Sequence, residues 1–163
     1  MKGILTGFLL LFVTMALTAQ KQVPDVRLKT LKKQTMPLHE ALATADYTVL
    51  SFWATWCAPC KRELNTIAAV YEDWQKAYQM QLIAITIDDQ RMLSKVPGIV
   101  ATNWWSYLVL ADEDSSLRNA MNITSIPRTL IVDRQGKVLY DHSGYKPGDE
   151  MELETKLKEL AAQ

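Results

Sequence analysis

The chain has 163 residues, of which 48% are apolar and 22% are charged, a balance typical of a folded globular protein with a core of its own. Its 18 Lys and Arg residues cancel its 18 Asp and Glu residues, so the formal net charge is zero. Because the chain has neither an excess of positive charge nor a basic stripe, its composition does not support a nucleic-acid-binding function.

The first residues have the pattern of a secretory signal peptide. Met1–Gly3 is short and positive, Ile4–Leu17 is mostly apolar, and Ala19 offers a small residue for cleavage. The apolar stretch is shorter than the ~20 residues that span a bilayer comfortably, so export with cleavage is favoured over an uncleaved membrane anchor. We predict a signal peptide over 1–19, one domain over 20–163, and a periplasmic or otherwise extracytoplasmic location.

The rest of the chain alternates strand patterns with helix patterns. Predicted strands cover Asp25–Leu31, a short return near Met36, and the runs Tyr47–Ala54, Leu82–Ile87, Tyr107–Leu110, Thr129–Val132 and Val138–Tyr140. Predicted helical segments cover a turn at 39–43 and the ranges 59–78, 91–100 (disturbed by Pro97 and Gly98), 112–121 and 149–162. This order predicts an α/β fold with a central mixed sheet flanked by helices and a short N-terminal β addition.

The two cysteines of the chain lie together in the run Trp56–Cys60, directly after a predicted buried strand. A disulfide between Cys57 and Cys60 closes a very small loop and adds little stability, so a purely structural role fits poorly. At the start of a helix the first sulfur meets free N–H groups that favour a thiolate, and the second sulfur lies one turn further along. The spacing therefore predicts a redox pair in which Cys57 opens a substrate disulfide and Cys60 resolves the mixed disulfide.

The residues around this motif resemble the thioredoxin-like superfamily. The resemblance rests on Phe52–Cys60 and on Ser125–Thr129 further along the chain. With the export signal, Cys60–Glu63 and the strand at Ile83–Asp89, the chain is most similar to the periplasmic TlpA/ResA-like thiol-disulfide oxidoreductases, over roughly Pro24–Ala162. The resemblance implies a thioredoxin-like fold and an exported enzyme that exchanges its dithiol and disulfide with protein substrates.

The resemblance also implies roles for individual residues. Cys57 is the attacking thiol and Cys60 the resolving thiol. Pro127 matches the cis-proline that lies beside the thiols, and Ile126 presents backbone groups to an extended substrate segment. Trp56 forms part of the flat apolar surface around the sulfur atoms. Packing alone is the alternative interpretation of Trp56, and a proline that simply opens a strand is the alternative for Pro127.

Glu63 matches an acid of the family one turn beyond the second cysteine. The resemblance implies that it tunes the thiols and handles protons, whereas the alternative is a solvated glutamate favoured by the helix dipole. Ser51 stands where thioredoxin has a buried aspartate, which leaves the deprotonation of Cys60 to Glu63 or to water. The segment between the cysteines contains no histidine, which favours a reductase over an oxidant, although the basic residues 61–62 weigh modestly the other way.

The implied partners are proteins that carry thiols or disulfides, together with a membrane electron donor that reduces the enzyme again. No bound cofactor is expected, because the electrons reside in the cysteine pair. Cytochrome c maturation, isomerisation and general disulfide reduction all stay open. Two alternative functions use the same fold: a peroxiredoxin-type peroxidase, although Ala54–Cys57 lacks the Thr-x-x-Cys spacing, and a copper or other metal chaperone that holds its ion through the two thiols.

Other polar and aromatic residues are interpreted as structural. His39 and His142 lie far from the motif in sequence and are expected at the surface or in turns, so no metal site is predicted. Trp104 and Trp105 are expected to pack in the core. The pair at 88–89 is expected to end a strand.

Overall fold

The computed structural model describes residues 21–163, and the predicted signal peptide over 1–19 lies outside them. The strands of this part are β1 (Arg27–Thr30), β2 (Thr35–Pro37), β3 (Tyr47–Trp53), β4 (Met80–Thr86), β5 (Leu108–Ala111), β6 (Arg128–Asp133) and β7 (Val138–Ser143). The helices are α1 (Leu38–Leu42), α2 (Ala58–Tyr78), α3 (Gln90–Leu93), α4 (Val96–Thr102), α5 (Ser116–Ala120) and α6 (Asp149–Ala161). Among residues 21–163, no helix has the length and apolar character needed to cross a membrane.

The strands form one mixed sheet in the order β2-β1-β5-β4-β3-β6-β7. The central strands β5, β4 and β3 run parallel, while β6 and β7 pair antiparallel at one edge. At the other edge, β1 and β2 form the predicted N-terminal addition and join β5 in antiparallel pairing. The predicted α/β architecture with a mixed sheet is therefore confirmed.

Both faces of the sheet are covered, and β3 divides its side chains between them. Val49 and Trp53 belong to the core under α2 and α6, whereas Leu50 and Phe52 belong to the core under α1 and α5. Alternation along the strand puts Ser51 on the same face as Val49 and Trp53. A polar side chain is thus buried beneath α2, next to the end of β3 from which the cysteine motif emerges.

Two segments differ from the predicted elements. The range 91–100 was expected to be one helix disturbed at Pro97, but the structure has α3 and α4 with the break at 94–95. Pro97 lies in the first turn of α4, where a missing backbone N–H costs nothing. Strand β7 continues past its predicted end at Tyr140 to Ser143, so His142 lies in this edge strand and not in a turn, with its side chain 28% exposed.

Candidate active site

The two cysteines lie at the junction of β3 and α2. Cys57 is the N-cap residue of α2, and its sulfur is joined to that of Cys60 in a disulfide with a Cα–Cα distance of 5.4 Å. The backbone N–H of Cys60 donates to Cys57 Sγ at 3.3 Å. Cys57 keeps 4% of its surface exposed and Cys60 none, so the first sulfur is the one nearer solvent. The free N–H groups of the first helical turn point toward this sulfur, an arrangement that favours an anion there.

The loop before Cys57 is held by a buried carboxylate that the sequence did not mark as functional. Asp88 accepts hydrogen bonds from the Thr55 backbone N–H at 2.8 Å, the Thr55 hydroxyl at 2.9 Å and the Thr86 hydroxyl at 2.6 Å. Lys61 Nζ donates to the Thr55 carbonyl at 2.9 Å. Both backbone polar groups of Thr55 are therefore fixed, two residues before the attacking sulfur. A sequence signal existed: Asp88 follows the carboxyl end of a parallel strand, where sites gather in α/β sheets.

Glu63 lies inside the protein, one helical turn after Cys60, with only 4% of its surface exposed. Thr129 Oγ1 donates to one carboxyl oxygen at 2.6 Å, and Ser51 Oγ donates to the other at 3.4 Å. Burial raises the pKa of Glu63 from 4.5 to about 7, although the two hydroxyl donors favour the charged form. The interpretation of Glu63 as a solvated glutamate is therefore wrong. A carboxyl group with a pKa near neutrality can both accept and release a proton in this place.

Two of the three residues predicted to meet the substrate, Trp56 and Ile126, line one groove. The Ile126–Pro127 peptide bond is cis, and Pro127 is buried. Trp56 is 65% exposed, and with Ile126 it lines a groove of about 220 Å³ whose other walls include Ile123 and Arg118. The structure thus brings Trp56 and Ile126 to one surface, although they are far apart in sequence.

Three aromatic side chains, Trp53, Trp105 and Tyr107, form a buried cluster in the core that α2 covers. The rings of Trp53 and Trp105 meet edge to face with centroids 4.9 Å apart, and the ring of Trp105 stacks on that of Tyr107. Trp105 Nε1 donates to Asn65 Oδ1 of α2 at 2.7 Å. The expectation of core packing is confirmed for Trp105 and wrong for Trp104, which is 88% exposed.

Each of the two histidines lies beside a carboxylate. Within residues 21–163, no group of three or more His, Cys, Asp or Glu side chains is placed to hold a metal ion. His39 lies beside Asp25 at the surface, with Nδ1 and Oδ1 2.8 Å apart. His142 pairs instead with Asp149.

Comparison with known proteins decides the family. Residues 19–141 match the model described as the AhpC/TSA family. The chain belongs to this family. It is 30% identical over 135 residues to the thioredoxin-like protein YneN of Bacillus subtilis (strain 168), a match that covers 81% of this chain and 75% of YneN.

Two further comparisons support the thioredoxin-like identification. A thioredoxin-like protein from Porphyromonas gingivalis, solved in solution, has a TM-score of 0.76 and 39% identity, covering 86% of this chain and 92% of that protein. The thiol-disulfide oxidoreductase ResA of B. subtilis (strain 168) is 27% identical over 90 residues, which are 55% of this chain and 49% of ResA. The match thus spans about half of ResA. The predicted thioredoxin-like fold, the ResA-like resemblance and the thiol-disulfide oxidoreductase class of enzyme are confirmed.

Proposed function

We propose that this protein reduces disulfides of other proteins in an extracytoplasmic compartment, by cycling between the Cys57–Cys60 dithiol and disulfide. One observation carries the proposal: the two sulfurs share a disulfide at the N-terminus of α2, with the buried carboxyl group of Glu63 one turn further along. This arrangement supplies a nucleophile, a resolving thiol and a proton acceptor at successive three-residue steps over the first two turns of α2.

The first step is attack by the Cys57 thiolate on one sulfur of the substrate disulfide. A mixed disulfide forms between Cys57 and the substrate, and the other substrate sulfur leaves as a thiolate. The helix N-terminus and the Cys60 N–H, which already lies 3.3 Å from Cys57 Sγ, stabilise the charge on the attacking sulfur.

The second step resolves the mixed disulfide. The Cys60 thiol gives its proton to the Glu63 carboxylate, and the resulting thiolate attacks the sulfur of Cys57. The second substrate sulfur then leaves as a thiolate, so two electrons have passed from the enzyme dithiol to the substrate disulfide. With a pKa raised to about 7, Glu63 is a stronger base than an exposed glutamate and is still ionised in part at neutral pH.

Substrate binding uses the surface that Trp56 and Ile126 share. Ile126 offers backbone groups to an extended segment of the substrate, while Trp56 covers the apolar side chains that flank the target disulfide. The family resemblance assigns to Pro127, whose peptide bond with Ile126 is cis, a position beside the thiols. This mode of recognition depends on backbone and apolar contacts and therefore suits substrates of varied sequence.

Export of the protein and renewed reduction of its own disulfide complete the proposed cycle. The signal peptide predicted over 1–19 supports export, and the absence of histidine between the cysteines supports a reductase. Each turnover leaves the enzyme oxidised, so a membrane protein that donates electrons from thiols is the proposed partner. Cytochrome c maturation is one pathway in which such an activity serves.

The test is a comparison of substrates with the purified mature chain and a chemical thiol donor. We expect catalytic reduction of a protein disulfide such as that of insulin, lost in Cys57→Ser, together with slow consumption of hydrogen peroxide. Faster turnover of peroxide than of the disulfide would establish the peroxidase alternative instead. Stoichiometric copper binding that the double Cys57→Ser, Cys60→Ser variant loses, without disulfide reduction by the parent, would establish the chaperone.

A further inference from the structure

The proposed resolution step leaves a proton on a group that has little contact with solvent. Glu63 is 4% exposed, and the side chains that bond it, Ser51 and Thr129, are 0% and 2% exposed. Cys60 has no exposed surface either. A carboxyl group that takes a proton in every turnover must return it to water before the next, so the enzyme needs a route from Glu63 outward.

A small cavity begins at Glu63 and lies between β7 and α6. Its walls include Thr129, Tyr140, His142 and Asp149, and it has room for about one water molecule. The walls also include the apolar side chains of Ile67 and Leu153, but the polar groups among them are enough to hold one water molecule, which needs two to four such partners.

His142 lies where this cavity approaches the surface. It pairs with Thr129 across the β6–β7 ladder, and side chains directly opposite on neighbouring strands share one face of the sheet. Because Thr129 itself bonds Glu63, the imidazole lies on the same side of the sheet as the carboxyl group. The side chain of His142 is 28% exposed, so it contacts both the buried cavity and solvent.

Two neighbours hold the imidazole in place. Asp149 Oδ2 lies 3.3 Å from His142 Nε2 and also accepts a hydrogen bond from the Lys146 backbone N–H at 2.7 Å, which orients the carboxylate. The ring of Tyr140 is stacked nearly parallel to that of His142. Among residues 21–163, Nδ1 of His142 has no hydrogen-bond partner.

We infer that His142, oriented by Asp149, carries the proton between Glu63 and bulk water. The proton moves from Cys60 Sγ to Glu63, then through a cavity water to one ring nitrogen of His142, and the other ring nitrogen releases a proton outward. An imidazole can do this because one nitrogen accepts while the other donates. His142 acts through Glu63 and touches neither sulfur, so it is a positioning residue and not a catalytic one. This inference rests on the proposed function.

Other charged and titratable groups face the same cavity and act on Glu63. On β7 and α6 these are Tyr140, Asp149 and Glu150. The positive charge that His142 can carry favours ionised Glu63 and lowers its pKa, while Asp149 raises it. The pair therefore adds little net charge beside Glu63, which lets a proton pass without holding it there.

The experiment follows the protonation of Glu63 directly, in the oxidised protein, so that it does not depend on disulfide reduction. After a rapid jump from about pH 5 to about pH 9, infrared absorption of the carboxyl group reports proton release, and the band is assigned by its absence in Glu63→Gln. Since proton transfer through a placed side chain typically accelerates a step by 10²–10⁴-fold, we expect His142→Phe, which fills the site without a carrier, to slow release at least about tenfold. His142→Gln keeps a polar group and is expected to slow it as well.

The other histidine supplies the matched control. His39→Gln changes an exposed residue far from the cavity and is expected to leave the release rate unchanged. Release as fast in both His142 variants as in the parent, with native circular dichroism, overturns the inference while leaving the proposed reductase intact. If a His142 variant does not fold, Asp149→Asn, which removes the orienting carboxylate, must slow release; an unchanged rate there overturns the inference too. If the parent chain does not reduce protein disulfides, the proposed function is refuted instead.

Discussion

Ionisation of Glu63 opposes folding, because the carboxylate loses water that the unfolded chain provides. Its pKa is raised from 4.5 to about 7 in the folded protein, so the folded state keeps a proton that the unfolded state has released. The free energy of unfolding contributed by this group therefore falls as the pH rises from about 4.5 to about 7. We predict that Glu63→Gln is more stable than the parent at pH 8, by at most about 3 kcal/mol, and that this gain disappears near pH 4. Urea unfolding of both proteins at a series of pH values measures this difference in the free energy of unfolding.

An exposed glutamate on the same helix supplies the control for this prediction. Glu72→Gln removes a carboxyl group from the outer face of α2 and is expected to show no comparable gain at high pH. Parallel stability curves for the parent and Glu63→Gln across the whole pH range would show that Glu63 is not protonated in the folded state near neutrality.

Asp88 stabilises the loop that leads to the attacking cysteine. Replacing it by alanine leaves the Thr55 backbone N–H buried without its acceptor, so we predict a loss of about 3 kcal/mol in the free energy of unfolding. Asp88→Asn keeps an acceptor for this N–H and is expected to lose less. Denaturant unfolding compares the variants, and an alanine variant as stable as the parent would mean that this contact does not hold the loop.

The N-terminus of α2 determines the reactivity of Cys57 at the scale of one element. Its first-turn N–H groups favour the thiolate, which is the species that reacts with alkylating reagents. In the Cys60→Ala variant at pH 7, we predict that iodoacetamide alkylates Cys57 at least about tenfold faster than it alkylates free cysteine. Mass spectrometry against time gives the rate. A rate equal to that of free cysteine would show that the helix does not activate this sulfur.

The elements with strong hydrophobic periodicity could be predicted from the sequence. Helix α2 and strand β3 were found because their buried side chains recur at regular steps. Strand β7 was predicted too short because Asp141 and Ser143 are polar residues of an edge strand, where pairing is not visible as a run of apolar residues. The break between α3 and α4 was misplaced because Pro97 begins a helix there and does not interrupt one.

The candidate site was predictable where its residues are neighbours in the chain. The cysteine motif and Glu63 follow each other at helical spacing, so their proximity could be expected. The contact between Thr129 and Glu63 spans 66 positions and depends on how β6 pairs with β3. The same holds for His142, whose place beside the cavity follows from strand register that sequence patterns do not contain. Asp88 was missed because its burial depends on partners that only the folded chain supplies.

At the scale of the whole molecule, the direction of electron flow depends on the relative stability of the dithiol and disulfide forms. The oxidant DsbA has a reduction potential near −120 mV and thioredoxin one near −270 mV, although both use this motif. For a reductase we predict a potential below about −200 mV, measured by equilibrating the Cys57–Cys60 pair with glutathione buffers. A value close to that of DsbA would assign the opposite direction and make the protein an oxidant.

The central claim is that Cys57 attacks the substrate and Cys60 resolves the intermediate, and trapping of the mixed disulfide tests it most directly. Reduced Cys60→Ala and Cys57→Ala variants of residues 20–163 are mixed with a protein disulfide, quenched with acid and analysed by mass spectrometry. We predict that Cys60→Ala accumulates a covalent adduct through Cys57 and that Cys57→Ala accumulates none. An adduct through Cys60 alone, or no adduct with either variant, would contradict the account.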